Sequence, residues 1–506
     1  MPRTCDCSDC SKIRRNIADI FSALKIYGWM LDSYIVDFYL EDHWSKLPSS
    51  WKTLLDQIQP DELGKWILRQ TNGRYNEQFF IRKARVSQIP YQLIFSRQVY
   101  PLSLIALRSF IEKVEICRDH ERKDASFKCV SRTEVEIRAE RDRTDDVPKN
   151  NKLLNDEKLD KLIMKHVKEK KRYEIPVMSE VVANCASKAK CKCVVDIGSG
   201  IGHLARALAY KYGLCLLCVE QDPDLIERAR KWDDQLELTL RKRGNDLSET
   251  RSPHHASMWV SVEKSCELAR TLRANFDLEG SRDELGYGLV GLHPCGDLGP
   301  TLLKLYATEP RNRFICVVGC CYMKLSQGES SEAGYPMSEF VKRLPESETT
   351  KMSYNALEVS CHASENHCDK LVRNDYDDLI VHAYRAALEY LLAGKSPQLR
   401  RCQVKSLKSH GLTFQQYCQA ATADLRESHR PSEDDCRRGD VLDMLLDWKR
   451  VLAFGSLRLL LAPLVESLLL YDRFLYLSEL GFEPELKARF DPRLSPRNIL
   501  LTSIKS

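Results

Sequence analysis

The stretch Val194-Val195-Asp196-Ile197-Gly198-Ser199-Gly200-Ile201-Gly202-His203 constrains this chain more than any other. A β-branched apolar run ends beside an acid, and three glycines follow at alternate positions. Leu204-Ala205-Arg206-Ala207-Leu208-Ala209-Tyr210 then places apolar residues at helical spacing. The pattern predicts strand, tight turn, helix. Such a turn calls for glycine because its backbone bends sharply and admits a ligand, and a Cβ would obstruct both. The helix that follows aims unpaired N–H groups and a positive dipole end at whatever occupies the turn.

The next strand narrows the ligand. Leu214-Cys215-Leu216-Leu217-Cys218-Val219 is apolar throughout, and Glu220 closes it. A nucleotide-binding βαβ unit carries the acid for its two ribose hydroxyls about twenty residues after the glycines. Both NAD and S-adenosylmethionine suit such a site. Asp196 before the first glycine, placed to hold an amino-acid end, and the GxGxG rather than GxGxxG turn favour the second. The expected cofactor is S-adenosylmethionine, held by Asp196, Gly198, Gly200, Gly202, Glu220 and Asp222.

Two later strands carry chemistry at their carboxyl ends, where open parallel sheets bind ligands. Leu289–Leu292 runs into His293-Pro294-Cys295-Gly296-Asp297, and Phe314–Val318 runs into Gly319-Cys320-Cys321-Tyr322. The cluster admits three readings: a substrate-positioning pocket, a tightly packed wall, or a zinc site. Adjacent cysteines and HxC lack the usual CxxC spacing, so no metal is expected. His293 or Asp297 is the candidate general base.

VVDIGSGIGHLAR and CVEQDPDLIERAR resemble the first two motifs of class I S-adenosylmethionine-dependent methyltransferases. Together with LVGLHPCGDL, VVGCCYMKL, Leu461-Ala462-Pro463-Leu464-Val465-Glu466 and Ser495-Pro496-Arg497-Asn498, they resemble the methyltransferase-like protein 25 family. The likeness runs in patches from about Lys170 to the C-terminus. It implies an α/β fold: a class I methyltransferase Rossmann-like sheet, a helical N-terminal region and a largely helical insertion before the last two strands. It also implies that the two later strands flank one another. His293, Cys295, Asp297, Cys320, Cys321 and Tyr322 would then face the transferring methyl. The same strands are loosely similar to the HLCG and CCHH signatures of certain tRNA ribose 2′-O-methyltransferases. Lys170-Lys171-Arg172-Tyr173-Glu174-Ile175 resembles a family segment written KKxHEV, with Tyr173 in place of its histidine. Adenine-N6 dimethylases carry Asn/Asp-Pro-Pro-aromatic after the fourth strand, and this chain has His293-Pro294-Cys295-Gly296 there.

The 506 residues imply two or three units. The expected division is a helical N-terminal region over 1–117, a charged linker over 118–151, a first part of the methyltransferase core over 152–325, an insertion over 326–440, and C-terminal helices with the last strands over 441–506. A formal charge of +5 allows a nucleic-acid partner without demanding one. Lys152 to Arg172 reads as a basic amphipathic helix, ending in Lys165, Lys168, Lys170, Lys171 and Arg172. An RNA acceptor is the expectation; a protein acceptor or a non-catalytic cofactor-binding scaffold are the alternatives. Glu263, after a short strand at Trp259–Val262, is the candidate adenine contact.

The 20 cysteines follow no disulfide framework, so reduced thiols and a cytoplasmic or nuclear location are expected. Cys5, Cys7 and Cys10 could begin a metal site, but no fourth ligand follows nearby and a frayed terminus is expected. Val451 to Leu480 is apolar enough for a membrane span. Arg458, Glu466, Asp472 and Arg473 interrupt it and Pro463 is expected to break it, which favours a buried helical element over a span.

Overall fold

The computed structural model describes residues 5–68, 102–122, 124–130, 157–243, 252–275, 286–345, 351–407 and 411–505. The chain divides into two compact units, each discontinuous in sequence. One comprises Met1–Phe21, Ile116–Met352 and Glu466–Ser506; the other comprises Ser22–Glu115 and Ser353–Val465.

The first unit is built on an eight-stranded sheet. Its strands are β1 (Ser126–Lys128), β2 (Cys193–Ile197), β3 (Cys215–Glu220), β4 (His254–Ser257), β5 (Tyr287–Cys295), β6 (Asn312–Cys320), β7 (Pro484–Ala488) and β8 (Ile499–Ile504). They lie in the order β1-β7-β8-β6-β5-β2-β3-β4. β2 to β6 are parallel, and β8 runs antiparallel between β6 and β7. This is the class I methyltransferase arrangement that the resemblance implies, with β1 added at one edge. Every residue of β2 is buried, as a strand covered on both faces requires. Val194, Leu208, Leu216, Phe314 and Val318 share one core with Met178 and Val182 of the Glu169–Lys188 helix.

The topology positions the site. β2 has β3 on one side and β5 on the other, with Asp196 paired to Val290. The strand order reverses there, and ligands settle outside the carboxyl ends of strands at such a point. The turn after β2 and the end of β5 therefore open on the same crevice.

Several expectations are corrected. The N-terminal CDCSDC is not frayed: a helix spans Ser8–Asp32, and Cys10 is fully buried. The charged 118–151 segment contains β1, which pairs with β7; its residues 131–151 lie outside the described residues. The single helix expected up to Arg172 is two, Glu157–Ile163 and Glu169–Lys188, separated by His166 at φ 61. Leu159, Ile163 and Val167 are nonetheless core residues. The third core strand is β4, upstream of the expected Trp259–Val262. The expected division also changes: residues 22–115 join 353–465 in the second unit, while 326–352 stay with the sheet. Asp472 holds that last segment, accepting from Met337 N (2.7 Å), Ser338 N (2.9 Å) and Ser338 Oγ (2.6 Å).

The second unit is helical. Its longer helices include Leu104–Val114 and Asp377–Lys395. Two of the N-terminal tryptophans are core residues here: Trp51 and Trp66 are buried, and Trp51 Nε1 donates to Leu102 O at 2.8 Å. Trp448–Glu479 forms one unbroken helix with Pro463 inside it, so the expected break is absent. It is long and apolar enough to cross a membrane by length and composition, and 89% of its most apolar window is buried within the protein. Arg458 in this helix is satisfied by carbonyls, donating from Nε to Met30 O at 2.9 Å and from Nη2 to Leu31 O at 3.2 Å.

Candidate active site

The glycine turn after β2 has the backbone that its residues predict. Gly198, Gly200 and Gly202 all lie at positive φ (72°, 58° and 74°). A Cβ on Gly200 would meet nothing within 4 Å, so the space beside it is open to a ligand. Glu220 ties the turn to the end of β3. Its Oε2 accepts from Gly200 N at 2.9 Å and its Oε1 from Gln221 N at 2.9 Å. Asp196 is buried beneath the turn, and burial pushes its carboxyl up to about 7, against the pull of Lys171 and with a further push from Glu220. Ser199 Oγ is buried with no hydrogen-bond partner among the described residues. An acid awaiting a cation, an unpartnered hydroxyl and an open glycine face are what an amino-acid-bearing nucleoside would fill. The residues present fit S-adenosylmethionine. Asp222 does different work: its carboxylate accepts from Asp224 N at 2.9 Å and caps the Pro223–Lys242 helix.

The glycine turn rests on a buried ionic cluster that pattern reading missed. Arg206 pairs with Asp233, donates to Ile201 O inside the turn, and lies 3.1 Å from His203 Nδ1. His255 Nε2 is 2.6 Å from the other Asp233 oxygen. Removing Asp233 alone would strand the Arg206 charge, a cost of about 3–5 kcal/mol for a buried pair. Nothing in the spacing of residues 203, 206, 233 and 255 signals this cluster; the fold assembles it.

Across the crevice, β5 ends in a bulge. Leu292 pairs with Val318 and Cys295 with Cys320, leaving one extra residue on β5. His293 sits in that bulge at φ 67, a conformation that costs a non-glycine residue about 1–3 kcal/mol. Cys321, at the end of β6, is likewise at φ 49. The bulge turns the His293 imidazole onto Glu174, with Nε2 2.8 Å from Oε1. Glu174 is fully buried, and its Oε1 also accepts from Ser495 Oγ at 2.5 Å and faces Lys170 Nζ at 3.4 Å. Burial alone would pull the imidazole pKa down; Cys320 and Glu174 outweigh it and leave it raised. Burial raises the Glu174 carboxyl, but His293, Ser495 and Lys170 together leave it lowered. His293 Nδ1 is buried with no hydrogen-bond partner among the described residues. A carboxylate on Nε2–H leaves Nδ1 as the lone pair of a neutral ring, the state a general base needs. Glu174 belongs to the KKxHEV-like segment, whose Tyr173 is not directed to a ligand: its hydroxyl accepts from Asp491 N at 2.7 Å.

The remaining predicted residues separate into two groups. Cys295, Cys320 and Cys321 converge, with all three sulfurs within 4.8 Å of one another. Within that group Cys295 lowers the Cys320 thiol and Cys320 raises the Cys295 thiol. Asp297 and Tyr322 are structural. Asp297 Oδ1 accepts from Ser326 N at 2.8 Å and orders the loop after β6. Tyr322 is buried, donates to Glu466 Oε1 at 3.1 Å and lies under the Arg473 guanidinium, 5.7 Å from ring centroid. It cannot offer a face to an incoming base. Glu263, the expected adenine contact, lies on the exposed loop after β4. Trp259 is better placed: Ser257 pairs with Glu220, Met258 N donates to Glu220 O at 3.0 Å, and Trp259 follows with 63% of its surface exposed.

Residues 170–328 match a family model described as a methyltransferase domain. That span contains Glu174, the glycine turn, Glu220, His293 and the three converging cysteines. Two curated proteins, each named Probable methyltransferase-like protein 25, are 26% identical to this chain. The match to the Mus musculus protein covers 43% of this chain and 37% of that one, and the match to the Homo sapiens protein covers 43% and 36%. The chain thus spans little more than a third of the length of the curated relatives it matches. A crystal structure of a dimethyladenosine transferase from Plasmodium falciparum aligns at 14% identity, covering 54% of this chain and 96% of that one, with a TM-score of 0.18. So slight a likeness says nothing about the acceptor.

Proposed function

We propose that this chain is an S-adenosylmethionine-dependent methyltransferase that modifies RNA, with His293 as its general base. One arrangement carries the reading. The exposed basic residues Lys165, Lys168, Lys171 and Arg172 lead into the helix whose Glu174 orients His293, and Lys170 faces that same carboxylate. Phosphates gathered along this run would bring a nucleotide to the end of β5.

Asp196 and Ser199 are suited to the amino-acid end of the cofactor, Glu220 to its ribose and the glycine turn to its close approach. When bound, S-adenosylmethionine supplies the electrophilic methyl. The chain's own contribution is alignment and proton removal. Nδ1 of His293 takes the proton that the acceptor atom gives up, and Glu174 stabilises the imidazolium that results. The strained bulge holds the ring where the acceptor enters.

The test adds purified protein and methyl-labelled S-adenosylmethionine to lysate from cells that lack it, then treats with RNase or protease. Label removed by RNase is expected. Label removed only by protease would replace RNA with a protein acceptor. No label from folded, cofactor-binding protein would make the chain a scaffold. RNA binding should also weaken with salt, since each phosphate contact on a single strand contributes a slope of about −0.7 in log K against log salt.

A further inference from the structure

We infer that Cys5, Cys7, Cys10 and Cys129 form a structural zinc site that fastens the N-terminal segment to the edge of the sheet. Three of these ligands come from CDCSDC, and the fourth lies 119 residues beyond Cys10, just after β1. Cys129 joins the other three only through the folded edge strand.

The geometry is that of a tetrahedral thiolate set. The sulfurs of Cys5 and Cys129 are 3.5 Å apart, those of Cys10 and Cys129 are 3.7 Å apart, and all four lie within 4.8 Å of one another. Four thiolates bound at about 2.3 Å to one zinc stand about 3.8 Å from each other. A disulfide would bring one pair to about 2.05 Å. Cys10 and Cys129 are buried, at 0% and 1% exposure, while Cys5 and Cys7 are half-buried and leave a way in for the ion. Four ligands with no open position make a structural rather than a catalytic centre.

The surroundings hold each ligand in place. Cys7 directly precedes the Ser8–Asp32 helix, and its sulfur accepts from Cys10 N at 3.5 Å, so a thiolate there meets the positive helix end. Arg14 donates to Cys5 O at 2.6 Å, holding Cys5 beside the helix and bringing positive charge near a centre that would carry net −2. Cys129 N donates to Pro484 O at 2.9 Å, and Lys128 N donates to Asp9 Oδ2 at 2.8 Å. β1 is three residues long, too short to hold a sheet edge by its ladder alone. The metal would supply what the ladder lacks, and metal binding would then be part of folding.

Full-length protein, purified reduced and without chelator, is expected to contain one zinc per chain by elemental analysis. Cys129→Ser and Cys5→Ser should each remove it, and Cys320→Ser should retain it. Cobalt(II) in place of zinc should give the intense visible bands of a tetrahedral tetrathiolate. A measurement that needs no variant to fold is alkylation of the wild-type protein read by mass spectrometry. Cys5, Cys7, Cys10 and Cys129 should be protected as a group and become reactive together once zinc is chelated. Folded wild-type protein without stoichiometric metal would overturn the assignment. So would zinc retained by both Cys129→Ser and Cys5→Ser, or a peptide cross-linked through Cys129.

Discussion

His293 Nε2 stands 2.8 Å from Glu174 Oε1, although 119 residues separate the two in the chain. The Glu169–Lys188 helix carries the acid, and the bulge that ends β5 carries the base. Burying a carboxylate is costly without donors, and His293, Ser495 and Lys170 all gather on its Oε1, while Oε2 has no hydrogen-bond partner among the described residues. Under the proposed mechanism Glu174 is a positioning residue for His293.

Glu174→Gln should leave S-adenosylmethionine affinity unchanged and slow methyl transfer by about 10–100-fold. The pH profile separates orientation from mere support. The wild-type ring is raised, and its base form prevails above its pKa, so the rate should climb as pH rises through that value. Losing the carboxylate lowers that pKa, so the climb in Glu174→Gln should shift to lower pH with a lower plateau. Single-turnover rates against pH measure both; an unmoved inflection would make Glu174 only structural.

Asp196 should make the stability of the cofactor-free protein depend on pH. Its folded pKa is raised to about 7, above an unfolded value of about 3.9. Between those values the folded state holds a proton that the unfolded state has released. Stability should therefore fall as pH rises from about 4 to about 7, then level off. Asp472, raised to about 6 by burial, adds a slope of the same sign. Urea unfolding of wild type and Asp196→Asn across this window isolates the Asp196 share, which the variant should lack. Affinity for a ligand bearing an ammonium group should rise over the same window as Asp196 ionises.

Deleting residues 499–506 should unfold the sheet unit. β8 is hydrogen-bonded on both sides, to β6 and to β7, so the deletion opens the interior of the sheet and orphans both neighbours. Circular dichroism and calorimetry should report lost cooperativity. A truncated chain with native melting would contradict the register described above.

Trp259→Ala should weaken S-adenosylmethionine binding by about tenfold, within the 1–3 kcal/mol that a base–aromatic stack is worth. With 63% of its surface exposed, the indole contributes little to folding, so the melting temperature should hold. Unchanged affinity would remove Trp259 from the adenine site.

What sequence could show here depended on how local the signal was. The glycine turn, Glu220 and the strands around them were legible because one βαβ unit contains them all. Glu174 was visible as a letter in a motif but not as a partner, because only sheet closure brings the Glu169–Lys188 helix against the end of β5. Cys129 and Asp233 escaped for the same reason: their partners are distant in sequence. Tyr322 misled in the opposite direction. Its place after β6 implied a side chain facing the transferring methyl, yet the Glu466 carboxylate and the Arg473 guanidinium claim both its hydroxyl and its ring. Pro463 did not break its helix, since burial along Trp448–Glu479 outweighs one lost backbone bond.

The cofactor pocket bears most of the account, and calorimetric titration tests it most directly. S-adenosylmethionine titrated into the folded chain should bind with a Kd in the micromolar range, about −7 to −9 kcal/mol. Glu220→Ala should weaken it, and Gly200→Val should abolish it, because its Cβ would enter the open space beside the turn and a β-branched residue is strained at φ 58°; circular dichroism of the variant separates lost binding from lost folding. A folded wild-type chain that gives no binding heat, or that binds NAD more tightly than S-adenosylmethionine, would contradict the account.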